Sequence, residues 1–521
     1  MRKQIFHRIA CLVLGLTVVV VSGCGPSSPG VSNEPESTVE TTRPPIPTTP
    51  SAPSATGEKD PALDHSQCTA KFNNLFQDGA VLQQGQAVPI WGTGTDGRRI
   101  TVYYRDQIKE TVVKDGAWSV TLDPMVGAYD PNNLLLCVDG DCQVTTVSNV
   151  TVGEVWLCSG QSNMEMKVRN ILEWDEKNQA AYDEIQPNGN IHAYTAIMSS
   201  GAKKAEESRG KWYTMDEQKW LDRVSAVAFC VADRLQKTLD VPVGIIVSAV
   251  GGSIIEQWID PDALEPYASV QGVDTSLSNY YNKMTYPIAP YGIKGMLWYQ
   301  GESNAGSKHQ VRRYPALFKI FAEQTRRDFG NPDLPIFTMQ LPSWGSAMTQ
   351  MWAEMRFAQE DIAKTIDNVY MTVSMDHGHR QSIHPTDKRP ICDRMGDQIL
   401  NKLYGKDTPG NAPEFASLKT EGTTATVSFN YIDQGLMLTS GEKIENVVAC
   451  GSDNVFYYAD AVIGPDGKTM VVTAPDGVDT ITGVSYLRIN YADVALYEKN
   501  GLPVAPFCTP RYVESAFTLT D

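Results

Sequence analysis

The sequence predicts an α/β protein whose central sheet is flanked by smaller β-rich modules. Between residue 151 and about residue 405, apolar segments of strand length alternate with longer helical segments. This alternation is typical of a mostly parallel sheet that is covered by helices on both faces. On either side of this region, short apolar segments are separated by glycine turns, a pattern that favours β-sandwich-like modules.

The positions of the elements follow from the apolar pattern. In the central region, strands are expected at residues 243–250, 295–299, 334–339 and 369–374, and helices at residues 224–239, 314–329 and 352–366. The flanking strands are expected at residues 87–92, 100–104, 118–122, 424–429, 456–463, 470–473 and 485–490. Ligands of open α/β sheets bind at the carboxyl ends of the strands, so a functional site is expected there.

Length and charge restrict the class of protein further. The chain has 521 residues, enough for more than one domain, and its hydrophobic content of 42% is typical of a globular protein with a substantial core. The formal net charge of -17 argues against nucleic acid as a partner, because phosphate binding needs clustered Lys and Arg.

The N-terminus carries the pattern of an export signal. Basic residues precede an apolar run over residues 9–21, which ends in the small residues Val21-Ser22-Gly23-Cys24. This ending resembles the lipobox of bacterial lipoproteins, which implies cleavage before Cys24 and a diacylglyceryl group on its sulfur. The alternative is a secretory signal with an incidental cysteine. A lipoprotein would be extracytoplasmic, on the bacterial cell surface, and in contact with the membrane only through Cys24.

The segment after the signal is rich in Pro, Ser and Thr and cannot bury a core, so it is expected to be a tether. The predicted organisation is listed in chain order: a signal peptide (1–23), a lipid-anchored linker (24–66), an N-terminal β domain (67–150), a central α/β domain (151–405) and a C-terminal β-rich domain (406–521).

A candidate nucleophile follows the first strand of the central domain. The apolar run 150–158 stops at Ser159-Gly160, and residues 164–168 have the pattern of a helix. A strand that breaks at a glycine and continues as a helix presents a side chain at the carboxyl edge of the sheet, next to free backbone N–H groups. Ser162 occupies that position. Its alternative role is that of an ordinary helix cap.

Three other strand ends carry groups that would complete a site for acyl transfer. Gly252 follows the strand at 243–250, Asn304 follows the strand at 295–299, and His384 lies beyond the strand at 369–374. The backbone N–H groups of Ser162 and Gly252 and the Asn304 side chain are expected to form an oxyanion hole. His384 is expected to be the general base that takes the Ser162 proton and returns it to the leaving group.

These segments resemble the SGNH-type serine hydrolases, and specifically the sialate O-acetylesterase and carbohydrate acetylesterase family. The matching segments are residues 156–165, 251–258, 298–304 and 383–388, with further likeness at residues 75–83 and 501–507. The resemblance implies a three-layer α/β/α hydrolase domain and hydrolysis of acetyl esters on sugar hydroxyls by a serine and a histidine. It implies no metal and no other cofactor. The partner would be an acetylated carbohydrate, either 9-O-acetylated sialic acid or an acetylated plant glycan.

The sequence departs from the family pattern next to the histidine. Many SGNH enzymes place an Asp three residues before the His, and Gln381 stands there in this chain. Asp376 is the expected substitute acid, and a Ser–His dyad is the alternative. Gln161, Gln300 and Glu302 are candidates for the substrate pocket, and Glu302 is equally open to an orienting or a capping role.

Two other functions fit parts of the sequence. One is a non-catalytic, glycan-binding surface lipoprotein that keeps the fold. The other is a metal-dependent deacetylase that binds its metal through Asp376, His377, His379 and His384, whose spacing suits divalent ligands. Cys137 and Cys142 flank a turn signal and are candidates for a hairpin disulfide.

Overall fold

The computed structural model of the protein describes residues 69–176, 179–215, 218–271, 273–345 and 351–510. The predicted signal peptide, the linker and the proposed lipidation site Cys24 lie outside these residues. None of the helices in the described ranges has the length and hydropathy needed to cross a membrane.

The strands and helices are numbered along the chain. The N-terminal strands are β1 (Ala70–Phe72), β2 (Val81–Gln83), β3 (Val88–Gly94), β4 (Arg99–Tyr104), β5 (Gln107–Val112), β6 (Ala117–Leu122), β7 (Ala128–Val138) and β8 (Asp141–Gly160). The central strands are β9 (Ile191–Ala196), β10 (Gly210–Thr214), β11 (Val243–Ala249), β12 (Gly295–Tyr299), β13 (Ile336–Met339) and β14 (Val369–Thr372). The C-terminal strands are β15 (Glu414–Glu421), β16 (Thr424–Asn430), β17 (Leu436–Leu438), β18 (Val447–Cys450), β19 (Phe456–Tyr458), β20 (Asp460–Ile463), β21 (Met470–Thr473), β22 (Gly483–Tyr486), β23 (Leu496–Glu498) and β24 (Phe507–Thr509).

All α-helices of the described residues belong to the central region. They are α1 (Ser162–Glu165), α2 (Val168–Trp174), α3 (Gln179–Asp183), α4 (Ala226–Leu239), α5 (Pro261–Gln271), α6 (Lys308–Asp328), α7 (Trp352–Thr365) and α8 (Arg389–Tyr404). Short 3-10 turns occur at Gln218–Asp222, Ile255–Trp258, Thr275–Leu277, Glu302–Asn304 and Met375–His377, and a π-helical turn at Tyr281–Thr285.

The central sheet has the strand order β10-β9-β11-β8-β12-β13-β14. All neighbours in it are parallel except β10, which is antiparallel to β9. The carboxyl ends of β8, β11, β12, β13 and β14 therefore meet at one edge of the sheet, where the sequence predicts the site.

Helices cover this sheet on both faces. Alternate residues of β8 point to opposite sides: Trp156 packs in the hydrophobic core that contains α4 and α8, and Leu157 in the core that contains α6 and α7. The three-layer α/β/α arrangement confirms the predicted fold class. Its cause is the nearly continuous apolar run of each buried strand, since both faces need a cover.

The N-terminal module and the central sheet share one strand. The first part of β8 pairs with β7, and its last part, from Glu154 to Gly160, lies between β11 and β12. The predicted boundary at residue 150 thus falls inside a continuous strand, and the boundary itself stays a prediction. A hairpin pairs Val138 with Asp141, but the side chain of Cys142 lies outside the described residues, so the disulfide also stays a prediction.

The C-terminal module is a β-sandwich. One four-stranded antiparallel sheet has the order β15-β16-β21-β20 and the other β19-β18-β22-β24. Their inner faces share a core, with Val427 and Val472 from the first sheet and Ala449 and Val484 from the second. The predicted strand 456–463 is two strands in the structure, β19 and β20, which belong to different sheets.

Helix α6 begins earlier than the apolar pattern predicts. It starts at Lys308 rather than at residue 314, because the Ser307 hydroxyl caps it by accepting the Gln310 N–H at 3.3 Å. A capping serine was the local signal for this start.

Candidate active site

The strand–turn–helix predicted around Ser162 is present. β8 ends at Gly160, and α1 begins at Ser162. Gly160 has φ +140°, and a Cβ atom there would lie 2.1 Å from the Tyr299 carbonyl oxygen, so only glycine fits between β8 and β12. The turn places the partly exposed Ser162 at the carboxyl edge of the central sheet.

The Gly251-Gly252 turn after β11 is held against α1, the helix that begins at Ser162. The Gly251 N–H donates to Glu165 Oε2 at 2.7 Å, and a Cβ atom on Gly251 would lie 3.5 Å from the Ser162 Cβ. Gly252 is exposed and has φ +74°. The N–H groups of Ser162 and Gly252 donate no hydrogen bond to any described residue. Two backbone donors beside the hydroxyl are therefore available to a ligand.

Asn304 lies at the same edge but is fully buried. Its Oδ1 accepts the Ile255 N–H at 3.0 Å, and its Nδ2 donates to Glu256 Oε2 at 2.9 Å. Glu256 is itself buried and pairs with Arg313 at 2.6 Å, which fixes the orientation of the amide. One Nδ2 hydrogen is thus committed to Glu256, and the role of Asn304 as an oxyanion donor stays a prediction.

Gln161 and Gln300 do not line an open pocket, which corrects the expectation for these two residues. Both are buried, and Gln300 Nε2 donates to Gln161 Oε1 at 3.1 Å. Gln161 Oε1 also accepts the Ser303 N–H at 3.2 Å. Adjacent parallel strands leave such amides between them, where they bond to each other and tie the ends of β8 and β12 together.

His384 lies on the loop between β14 and α8. The Ser382 hydroxyl accepts the His384 backbone N–H at 3.0 Å, and the ring is partly buried. Burial and the positive charge of Lys388 lower the pKa of His384 below its usual value, so the neutral imidazole is favoured. The ring of Trp174 lies beside it, with 5.0 Å between ring centroids.

The turn that contains Ser162 and the loop that contains His384 are joined through neighbouring residues. Asn163, which follows Ser162, donates through Nδ2 to the backbone carbonyl of Ile383, which precedes His384, at 3.1 Å. The Ser162 hydroxyl and the His384 ring make no hydrogen bond with each other in this structure. A direct bond between a base and its nucleophile is often long before substrate binds.

Asn163 is the centre of a buried polar network that sequence reasoning missed. Its Nδ2 also donates to Glu302 Oε1 at 2.7 Å, and its Oδ1 accepts from Lys388 Nζ at 2.6 Å. All three side chains are buried, and Glu302 Oε2 has no hydrogen-bond partner. Burial raises the pKa of Glu302 to about 7 and lowers the pKa of Lys388 to about 8. The Asn163 network is defined here as Asn163, Glu302 and Lys388.

Asp376 does not orient His384, which corrects that expectation. Its two carboxylate oxygens accept from Arg394 at 3.0 and 2.8 Å, and Oδ2 also accepts from the Tyr497 hydroxyl at 3.2 Å. Burial alone would raise the pKa of Asp376, but the hydrogen bonds and charge of Arg394 hold it below its usual value. The carboxylate is thus paired with Arg394 of α8 and hydrogen-bonded to Tyr497 of the C-terminal module, and it has no hydrogen bond to the His384 ring.

The histidines near Asp376 do not converge with His384. His377 Nδ1 lies 2.8 Å from Asp387 Oδ2, and His379 Nδ1 accepts the backbone N–H of Ser382 at 2.9 Å. Within the described ranges, no three His, Cys, Asp or Glu side chains form a group able to hold a metal ion. The ligand set of the metal-dependent alternative is therefore not assembled by these residues.

Comparison with known proteins decides the class of this site. The family model described as carbohydrate esterase, sialic acid-specific acetylesterase matches residues 152–400, which include the four segments at 156–165, 251–258, 298–304 and 383–388. Residues 152–400 belong to this family of carbohydrate esterases. The protein is therefore a carboxylic ester hydrolase, of a family that acts on O-acetyl esters of carbohydrate.

Known esterases are similar to this protein over most of its chain, in sequence and in structure. It is 27% identical to the sialate O-acetylesterase of Homo sapiens over 494 residues, 84% of this chain and 92% of the human one. The sialate O-acetylesterase of Mus musculus is 25% identical over 520 residues, 84% of this chain and 94% of the mouse one. The crystal structure of a carbohydrate acetylesterase from Xanthomonas citri matches with a TM-score of 0.77 and 28% identity, covering 85% of this chain and all of that one.

Proposed function

We propose that the esterase hydrolyses O-acetyl esters on carbohydrate through an acetyl-enzyme on Ser162. The observation that supports this most is the position of Ser162 beside two unengaged N–H groups, with Asn163 joining its turn to the loop of His384. A nucleophile, a base loop and donors for a developing negative charge are the parts that acyl transfer needs.

In the first half-reaction the Ser162 hydroxyl attacks the acetyl carbonyl carbon while His384 takes the hydroxyl proton. The carbonyl oxygen becomes negatively charged and accepts hydrogen bonds from the N–H groups of Ser162 and Gly252, with the Asn304 amide as the expected third donor. The bond to the sugar oxygen then breaks, and His384 returns its proton to that oxygen. The products are a free sugar hydroxyl and acetyl-Ser162.

In the second half-reaction water replaces the sugar. His384 takes a proton from the water, whose oxygen attacks the acetyl carbonyl, and the bond to Ser162 Oγ breaks with return of the proton to the serine. Acetic acid leaves and releases its proton to the solvent to become acetate, and the resting enzyme is restored. The lowered pKa of His384 suits this role, because only the neutral imidazole accepts a proton.

We propose further that the catalytic pair is a Ser–His dyad. No described carboxylate is hydrogen-bonded to the His384 ring, and Asp376 is committed to Arg394. An imidazolium without a carboxylate partner is stabilised less than in a triad. The position of His384 then depends on the Asn163–Ile383 hydrogen bond.

The test is acetate release from a panel of acetylated glycans that includes 9-O-acetylated sialic acid and acetylated xylan. Ser162→Ala is expected to lower kcat by roughly 10⁴-fold or more, with a similar loss for His384→Ala. Ser417→Ala, an exposed serine of β15, is the matched control and should retain full activity. Equal rates for wild type and Ser162→Ala would contradict the serine mechanism. The substrate with the highest kcat/KM identifies the sugar.

We also propose that the esterase is a cell-surface lipoprotein anchored through Cys24. The proposal is supported by the lipobox-like residues 21–24 and by the Pro-rich linker that follows. Expressed in a bacterial host, the full chain should partition with membranes and incorporate labelled palmitate, whereas Cys24→Ser should do neither. Labelling of Cys24→Ser at the wild-type level would overturn the anchor.

A further inference from the structure

Trp174 is exposed at the candidate base. It is the last residue of α2, and 49% of its surface is exposed, whereas the other tryptophans of the described residues are buried or only partly exposed. Its ring centroid lies 5.0 Å from that of His384, with the ring planes at 45°. A single exposed apolar side chain is normal on a protein surface, so it is the position of this indole beside the candidate base that points to a contact with a ligand.

Packing of the helix does not explain this exposure. α2 is anchored by Val168 and Ile171, both fully buried, and its start is tied to the chain before α4 by a hydrogen bond from the Val168 N–H to the Val224 carbonyl at 3.2 Å. The indole at the end of the helix is therefore not needed to hold α2 in place. It faces solvent and the histidine instead.

The order of proton transfers decides which part of a substrate meets Trp174. In the proposed mechanism, His384 returns its proton to the sugar oxygen when the ester bond breaks. The sugar ring must therefore lie on the His384 side of Ser162, and the acetyl methyl group on the side away from it. Trp174 is the exposed aromatic side chain in contact with His384, so it adjoins the sugar.

We propose that Trp174 forms a sugar-binding subsite on which the pyranose ring that carries the acetyl group packs. The C–H face of a pyranose is apolar and slightly positive, and it complements the negative face of an indole. This contact removes apolar surface of both partners from water. It also holds the ester oxygen near the His384 ring. The inference rests on the proposed function, because it uses the proton path from His384 to the sugar.

The alternative role of Trp174 is to shield His384 from water and so to set its pKa and position. The two roles differ in their dependence on the alcohol part of the ester. A sugar platform matters only for substrates with a sugar ring, whereas a shield of the base matters for every ester.

The experiment compares Trp174→Ala and Trp174→Phe with wild type on two substrates, acetylated xylan (or 9-O-acetylated sialic acid, if the panel favours it) and ethyl acetate. For Trp174→Ala, kcat/KM for the acetylated sugar is expected to fall about tenfold, mainly through KM, and kcat/KM for ethyl acetate to stay unchanged. Trp174→Phe should recover part of the loss. Tyr458→Ala, an exposed aromatic residue of the C-terminal module, is the control and should leave both substrates unaffected.

Two results would overturn the inference. Equal losses on both substrates with a displaced pH profile would assign Trp174 to the positioning of His384. Unchanged kinetics on both substrates would remove it from the site. Failure of the proposed function is distinguishable, because in that case Ser162→Ala would retain activity on ethyl acetate.

Discussion

Two buried carboxylates near the histidine loop are held in opposite ways. Glu302, in the Asn163 network, has one oxygen bonded to an amide, one oxygen without a partner, and a pKa raised to about 7 by burial. Asp376 has both oxygens bonded to Arg394 and a pKa lowered by that partner. The hydrogen-bonding capacity of Asp376 is met by a charged partner, as is typical of a structural ion pair, whereas one oxygen of Glu302 has no partner.

This difference indicates which region belongs to the chemistry. Incompletely satisfied, strongly perturbed groups concentrate at functional sites, because a fold optimised for stability alone would pair them. Asn163 follows Ser162 in the chain and is hydrogen-bonded to the residue before His384, so the Asn163 network links the two candidate catalytic residues. The region of Asp376, with Arg394 and Tyr497, instead connects α8 to the C-terminal module. Substitutions in the first region should therefore reduce activity, and substitutions in the second should reduce stability.

The largest contrast is expected from Asn163→Ala. This change removes the bond to the Ile383 carbonyl and leaves Lys388 and Glu302 without their shared partner, so kcat should fall about 100-fold while KM changes little. Steady-state kinetics measures kcat and KM, and a thermal melt of the same preparation measures the stability of the variant. The control is Asn282→Ala, which truncates a buried asparagine that donates to the Gly201 and Ala202 carbonyls. Similar kcat values for Asn163→Ala and wild type would assign the network to stability alone.

A smaller effect, in the pH profile, is expected from Lys388→Met. The charge of Lys388 lowers the pKa of His384, so its removal should raise that pKa. In the proposed mechanism His384 accepts a proton only when it is neutral, so the acidic limb of the kcat/KM profile should move to higher pH. At neutral pH kcat should fall about tenfold through the loss of the bond to Asn163. Lys402→Met, on the last turn of α8, is the matched control and should leave the limb in place. A limb that stays in place in Lys388→Met would show that Lys388 does not act on the base.

The smallest effect on activity is expected from Asp376→Asn. Its kcat/KM should stay within about threefold of wild type, but the free energy of unfolding should drop by about 3 kcal/mol, because Arg394 loses its charged partner. The folded pKa of Asp376 lies below 3.8, so the stability contributed by the pair is complete above pH 3.8 and is lost as the pH falls through the folded pKa. Chemical denaturation at neutral and acidic pH should therefore show the variant approach wild type in acid. A large loss of kcat without loss of stability would restore Asp376 as the catalytic acid.

The fold and the position of Ser162 are predictable from the sequence because their signals are local. Apolar runs that end at glycines place β8, β11 and β12, and the Ser159-Gly160 break places Ser162 at the edge of the sheet. The segments at 298–304 and 383–388 also contain Glu302 and Lys388, so their neighbourhood was predictable, although their contacts were not.

The partners of the polar groups depend on distant parts of the chain. Lys388 and Asn163 are 225 residues apart, and no periodic pattern connects them. Asp376 was assigned to His384 because the two are close in sequence. In the structure it pairs with Arg394 of α8, whose guanidinium donates to both carboxylate oxygens, whereas an imidazole offers a single N–H group to a carboxylate. The exposure of Trp174 beside His384 was not predictable from the sequence either, since an aromatic residue at the end of a helix usually packs in the core.

The measurement that tests the central claim most directly is the mass of the enzyme during turnover. Wild type is mixed with p-nitrophenyl acetate, quenched in acid within the first turnovers, digested and mapped by mass spectrometry. One acetyl group is expected on the peptide that contains Ser162, and none in Ser162→Ala. An active wild type that never carries acetyl on Ser162, or an active enzyme acetylated at another residue, would contradict the acetyl-enzyme mechanism.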